Sequence, residues 1–182
     1  MKKQVLILVM FLLAFGIKAQ DKKFDFGIKA GVNFADIQGA DQYDAQAGLL
    51  IGVTAELGIS DKFSVQPELL YSEQGGKVGD EVDLQLNYIA VPVLAKYYVA
   101  KGFAVEIGPQ VSFLVKDEFE FGDGTTMDPV AENMDVSAAL GFGYKTNSGI
   151  FTQVRYVAGL TTIDENPDVK NAVFQLSVGY QF

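Results

Sequence analysis

The chain has 182 residues, with 23 Asp plus Glu against 14 Lys plus Arg, a net charge of -9, and neither Cys nor His. The missing Cys and His exclude a Ser-His-Asp triad, a thiol nucleophile, a zinc site of the usual ligands, an iron–sulfur cluster and a disulfide framework. An enzyme would have to work with carboxylates, Lys, Tyr or Ser alone, and the acidic balance argues against nucleic acid, whose phosphates need clustered positive charge. Hydrophobic residues make up 49% of one domain's worth of chain, and 19 Gly, 14 Phe and 8 Tyr suit strands and turns better than helices.

The first element is a leader. Met1, Lys2 and Lys3 precede an uncharged run from Val5 to Ile17, and Lys18-Ala19-Gln20 closes it, which reads as a secretory signal peptide. A membrane-spanning helix is the alternative, but the run is shorter than the roughly 20 apolar residues that a bilayer core requires. Cleavage after Ala19 divides the chain into residues 1–19 as signal peptide and 20–182 as the mature domain. Gln20 stands where a lipoprotein would need Cys, so no lipid anchor is expected.

From Phe24 onward the pattern repeats every two residues, the mark of strands with one apolar face. Phe24, Phe26, Ile28, Ala30, Val32 and Phe34 alternate with Asp25, Gly27, Lys29, Gly31 and Asn33. Leu49 to Leu57 and Phe63 to Tyr71 continue it, with Glu56 and Glu68 on their polar faces. Between Leu84 and Val99 both faces are apolar from Tyr88 to Ala95. Here Ile89, Val91, Val93, Ala95 and Tyr97 are placed outward and Lys96 inward, which requires a bulge or a short inward apolar patch at Leu84 and Leu86. Phe103 to Phe113, Val136 to Tyr144 and Ile150 to Leu160 follow, with Glu106, Lys145 and Arg155 on the opposite faces. Ala172 to Phe182 is last.

Eight strands emerge, each long enough to cross a bilayer as a tilted strand of about 9 to 11 residues. Tight turns at Gly58–Lys62, Ala100–Gly102 and Thr146–Gly149 alternate with long polar loops at about Ala35–Ala47, Glu73–Asp83, Lys116–Asp135 and Thr161–Asn171. This rhythm predicts an all-β fold, an eight-stranded antiparallel up-and-down transmembrane β-barrel.

Magnitude decides which face meets lipid. A Lys or Arg on the lipid side at mid-bilayer costs about 2 to 4 kcal/mol. The apolar faces of the seven clean strands carry no charge, so they point outward. A soluble lipocalin-type barrel would need the reverse. The inward charges are then Asp25, Glu56, Glu68 and Glu106 with Lys29, Lys96, Lys145 and Arg155. Lys29, Glu68, Glu106 and Arg155 fall at one level. Four acids and four bases suit a paired structural network that fills the lumen, because an unpaired buried charge is expensive. A carboxylate catalytic pair or a narrow ion path is the other reading.

The long loops hold 17 of the 23 acidic residues, offset by Lys77, Lys116 and Lys170. A solvated rim that keeps loops apart explains them. Calcium or magnesium held between carboxylates and bridging to lipopolysaccharide is a sharper alternative, although no EF-hand spacing is present.

Several stretches together resemble the PorT-like, porin-family outer-membrane β-barrels of Gram-negative (Bacteroidetes-type) bacteria. They are Phe26-Gly27-Ile28-Lys29-Ala30-Gly31-Val32-Asn33-Phe34, Phe63 to Ser72 followed by Gln74-Gly75, and Asn87 to Tyr97. Glu106-Ile107-Gly108-Pro109-Gln110, Arg155-Tyr156 with Gly159-Leu160, and Phe174 to Phe182 complete them. Ala90 departs from the pattern, since such proteins often carry a polar residue before the Ile/Val-Pro step. The resemblance implies short periplasmic turns, long extracellular loops and a place in the cell outer membrane. The final strand, with Phe174, Leu176, Val178, Tyr180 and Phe182 at alternate positions, resembles the assembly signal read by the barrel assembly machinery.

The expected function is therefore a non-enzymatic, integral outer-membrane barrel with a structural or interaction role. It has no cofactor and no metal, and outer-membrane lipid or lipopolysaccharide is its surroundings. An envelope protein reached through the loops, within an envelope or secretion assembly, is the expected partner. A narrow porin for small solutes or ions is the alternative.

Overall fold

A computed structural model describes residues 24–38, 44–78, 82–121, 126–127, 134–161 and 170–182. The leader expected over residues 1–19 lies outside the described residues. The strands are β1 (Phe24–Gln38), β2 (Asp44–Gly58), β3 (Phe63–Val78), β4 (Val82–Ala100), β5 (Phe103–Phe121), β6 (Thr126–Met127), β7 (Met134–Lys145), β8 (Ile150–Gly159) and β9 (Lys170–Gln181). Each pairs antiparallel with its neighbours in the order β4-β3-β2-β1-β9-β8-β7-β5, and β4 also pairs β5. Eight strands thus close on themselves, while two-residue β6 rides on the far end of β5. This is the expected up-and-down barrel, and closure leaves the eight no open edge along the paired wall.

The ladder is sheared. From Phe34 the partners run through Phe174, Tyr156, Leu140, Ile107, Ala95, Val65 and Leu57 and arrive at Phe24, ten residues from the start. A stagger of that size tilts the strands against the barrel axis, so residues at one level of the lumen come from different rungs. Every side chain on this circuit is apolar and faces out. Phe26, Ile107 and Val178 are 60%, 58% and 53% exposed, whereas Lys29, Glu68, Glu106 and Arg155 are 4% or less. An apolar-lined interior of lipocalin type does not fit these faces.

The tight turns lie where the sequence puts them, after Gly58, Ala100 and Lys145. Gly102 and Gly149 adopt φ of 76° and 90°, a region that glycine enters without a Cβ penalty. The long loops require correction. Laddering continues well past the expected strand ends, for example from Glu73↔Asn87 to Val78↔Val82 and from Asn87↔Lys116 to Val82↔Phe121. Cross-strand hydrogen bonds sustain a hairpin once apolar alternation has stopped, so polar composition misplaces the strand ends. The wall is consequently uneven: β4 and β5 reach 19 residues each and β8 only 10.

β4 also resolves its ambiguous facing. Its register against β5 shifts between Asn87 and Tyr88, with Val115 the extra residue on β5. Leu86, Tyr88, Ala90, Pro92, Leu94 and Lys96 point inward and are buried. The side chain of Leu84 lies outside the described residues. Both faces of β4 read as apolar because its inner face lines an apolar part of the lumen.

Candidate functional site

Seven strands each contribute charge to the lumen: β1 gives Asp25 and Lys29, β2 Glu56, β3 Glu68, β4 Lys96, β5 Glu106, β7 Lys145 and β8 Arg155. Seven ion pairs join these eight residues into one alternating chain. At the short-turn mouth Lys145 Nζ stands 3.2 Å from Asp25 Oδ2 and 3.4 Å from Glu56 Oε2. Glu56 Oε2 also meets Lys96 Nζ at 3.0 Å, and Lys96 lies 3.7 Å from Glu106 Oε1. Arg155 Nη2 then meets Glu106 Oε2 at 3.3 Å. Both Nη atoms of Arg155 donate to Glu68 at 2.9 Å in the forked geometry that guanidinium and carboxylate share. Lys29 closes the series, 2.9 Å from Glu68 Oε2. Cations and anions balance four against four, which keeps the desolvation cost of each charge offset by a neighbour of opposite sign.

Glycines let these long side chains cross between strands. Arg155 pairs with Gly141, which in turn pairs with Glu106, and a Cβ on Gly141 would come within 2.5 Å of the Val154 carbonyl oxygen. Lys29 pairs with Gly52, and its ammonium reaches past β2 to Glu68 on β3. A side chain at either glycine would occupy the crossing.

Neutral residues absent from the charge pattern complete the cluster. Gln153 accepts from Lys29 at 3.1 Å and donates to both oxygens of Glu106 at 2.8 and 2.9 Å. Gln66 accepts from Lys96 at 2.8 Å and donates to Glu68 Oε1 at 2.7 Å. Ser64, Tyr98 and Gln181 all donate to Glu56. Their sequence signal is a polar residue at an inward position level with the charges; a search restricted to charge passes over it.

Toward the other mouth the lumen changes character. Leu50, Leu70 and Ala90 form one buried apolar group, and Ala35, Leu94, Ala139, Val157 and Val173 form another. Ala90, the departure from the PorT-like pattern, therefore packs on leucines and not among the charges. Neutral amides and hydroxyls fill the remaining space: Asn33 Nδ2 donates to Ser72 Oγ and the Glu73 carbonyl, and Gln175 Nε2 donates to Asn33 Oδ1. Asp135 accepts from Ser137 and Thr161.

Of the acidic residues assigned to loops, Asp36, Asp44, Glu73, Asp83, Asp117, Glu118, Glu120 and Asp135 stand in strand extensions. Asp41, Asp80, Glu81, Asp123, Asp128, Glu132, Asp164, Glu165 and Asp168 lie outside the described residues. Among the described residues no three acidic side chains group to hold a metal ion. Phe174, Leu176, Val178, Tyr180 and Phe182 all face outward.

The family described as outer membrane protein β-barrel domain matches residues 18–165. A comparison with curated proteins gives no match. Among solved structures the chain is similar to Neisserial surface protein A, at 12% identity and a TM-score of 0.59, covering 90% of this chain and 100% of that one. It is also similar to Ail, the attachment invasion locus protein of Yersinia pestis, at 14% identity and a TM-score of 0.57 over 88% of this chain and 98% of that one. Ail in complex with the heparin analogue sucrose octasulfate matches at 12% identity and 0.54, with the same coverage. Likeness at such identities is a likeness of fold.

Proposed function

The chain belongs to the outer membrane protein β-barrel domain family, and from that premise we propose that this integral outer-membrane barrel is a closed, non-enzymatic scaffold that works through its outer rim. The observation that carries this reading is the lumen: a chain of ion pairs runs from the short-turn mouth to the buried Lys29, Glu68, Glu106 and Arg155, and apolar groups lie beyond it, with Leu70, Leu94 and Val157 two residues from Glu68, Lys96 and Arg155 on the same strands. A barrel of eight strands has room for side chains and little else. Its working surface is then the strand extensions and loops, rich in Asp and Glu.

A negative rim attracts cationic partners and repels polyanions. The Ail complex holds a sulfated sugar, whereas the rim here suits a basic protein surface or lipopolysaccharide bridged by divalent cations. The PorT-like motifs support a place in an envelope or secretion assembly. The outward aromatic and aliphatic residues of β9, ending in Tyr180 and Phe182, support recognition by the barrel assembly machinery, and the apolar run from Val5 to Ile17 supports export by a cleaved leader.

Planar-bilayer recording on the folded protein tests the reading against a narrow porin. The closed scaffold gives no steady current; a steady ion current from the intact protein overturns it in favour of the channel.

A further inference from the structure

One link of the ion-pair chain is too long to be a hydrogen bond. Lys96 Nζ lies 3.7 Å from Glu106 Oε1, and this link joins Asp25, Lys145, Glu56 and Lys96 to Glu106, Arg155, Glu68 and Lys29. Among the described residues Lys96 donates twice, to Glu56 Oε2 at 3.0 Å and to Gln66 Oε1 at 2.8 Å, and an ammonium has a third proton. The Tyr98 ring, 5.6 Å from Lys96 Nζ, is at the far end of cation–π range and does not use that proton well. Glu106 Oε1 accepts one hydrogen bond, from Gln153 Nε2 at 2.8 Å, where a carboxylate oxygen accepts two. A buried donor and a buried acceptor therefore face each other with capacity left on both.

Gly143 supplies the space beside this gap. A Cβ there would stand 2.6 Å from Glu106 Oε1, with the carboxyl carbon at 3.5 Å and Gln153 Cγ at 3.6 Å as the next nearest atoms. That distance repels a carbon and suits a hydroxyl donor. Gly143 is not among the glycines of positive φ, so its backbone does not call for glycine. Gly143, Glu106 and Gln153 line one cavity with Lys96, Ala104 and Lys145, in which about 10 Å³ is open to the centre of a water molecule. One water needs about 10 to 15 Å³ by that measure, together with two to four polar partners.

We propose that this cavity is the binding site of a single structural water, which accepts from Lys96 Nζ, donates to Glu106 Oε1 and so joins the two halves of the ion-pair chain. Two atoms 3.7 Å apart can both lie about 2.8 Å from one oxygen, and a bridge of this kind is nearly as favourable as a direct bond. Charge selects a neutral occupant, because the ammonium groups of Lys96 and Lys145 repel a cation and the Glu106 carboxylate repels an anion. The gap requires a group that accepts on one side and donates on the other, and the volume admits nothing larger than water. Lys145 marks the route of exchange: with Tyr98 and Gly102 it lines both this cavity and the depression at the short-turn mouth, and its side chain is partly exposed.

The test is a crystal structure of the full, detergent-folded barrel at a resolution that shows ordered water, compared with the same structure of Gly143→Ala. One density peak is expected within hydrogen-bond distance, about 2.6 to 3.2 Å, of both Lys96 Nζ and Glu106 Oε1. In Gly143→Ala the added methyl group takes that place and the peak should be lost. Should Gly143→Ala fail to fold, Ala104→Val fills the same cavity from β5 and should also remove the peak. Absence of the peak from the unaltered barrel, with or without direct contact between Lys96 and Glu106, overturns the proposal. So does a peak that persists unchanged in the folded variant. Conductance is not read in this experiment, so its failure is separate from any failure of the closed-scaffold reading.

Discussion

On β3, Glu68 ends in a cluster of charges, while Leu70, two residues nearer the opposite mouth, packs on Leu50 and Ala90. The same contrast holds on β8, where Arg155 pairs with two carboxylates and Val157 joins an apolar group. One set of strands thus fills its interior by two kinds of chemistry. In the ionic half each residue depends on partners from several strands, and removing one strands its neighbours. In the apolar half the loss of one side chain leaves only a void.

The sharpest way to break this contrast is Glu68→Ala. It leaves Lys29 without its acid and Arg155 with Glu106 alone, and a broken buried pair costs about 3 to 5 kcal/mol. Urea unfolding in lipid vesicles, followed by far-ultraviolet circular dichroism, should show a loss of that size. Replacing Lys29, Glu68, Glu106 and Arg155 together by Met should cost much less than Glu68→Ala alone, since taking out two acids with two bases leaves Asp25, Glu56, Lys96 and Lys145 balanced and no buried charge unpaired. A quadruple variant less stable than the single one would show that the ion pairs are net stabilising.

Leu70→Ala comes next, at about 2 to 3 kcal/mol, the lower part of the range for a buried leucine, because the lumen can relax around a void. The same unfolding assay reads it, and its effect should be indifferent to salt. Asp25→Asn is the smallest, below about 1 kcal/mol, because its partner Lys145 is partly exposed and retains Glu56. A loss as large as that of Glu68→Ala would mean that the mouth and the middle of the network act as one unit.

The two-residue period makes the facing of β1, β2, β3, β5, β7, β8 and β9 legible, because charge on one side and Phe, Ile or Val on the other leave a single arrangement at tolerable cost. It also puts Asp25, Lys29, Glu56, Glu68, Glu106, Lys145 and Arg155 on the inner faces. It cannot say that Arg155 reaches Glu68, because that contact crosses the lumen between strands on opposite sides of the wall and depends on the ten-residue stagger. Gln66 and Gln153 escape notice for a related reason: an inward amide looks like any polar strand residue until its level against the charges is known. β4 is the strand that alternation leaves ambiguous, since its inner residues are the ones lining the apolar half. The strand extensions above the outer rim are illegible too, because hairpin hydrogen bonding does not depend on side-chain polarity.

The ion pairs link parts of the chain that are made far apart in time. Asp25 and Lys145 are separated by 120 residues, and Glu68 and Arg155 by 87. While β9 has yet to reach β1, the cylinder is open along one side, and a wall exposing Lys29 or Glu68 to hydrocarbon is strongly disfavoured. Circularisation and charge neutralisation must therefore occur as one late, cooperative event. A barrel halted one strand short is an unstable sheet with ionic side chains and nowhere to put them.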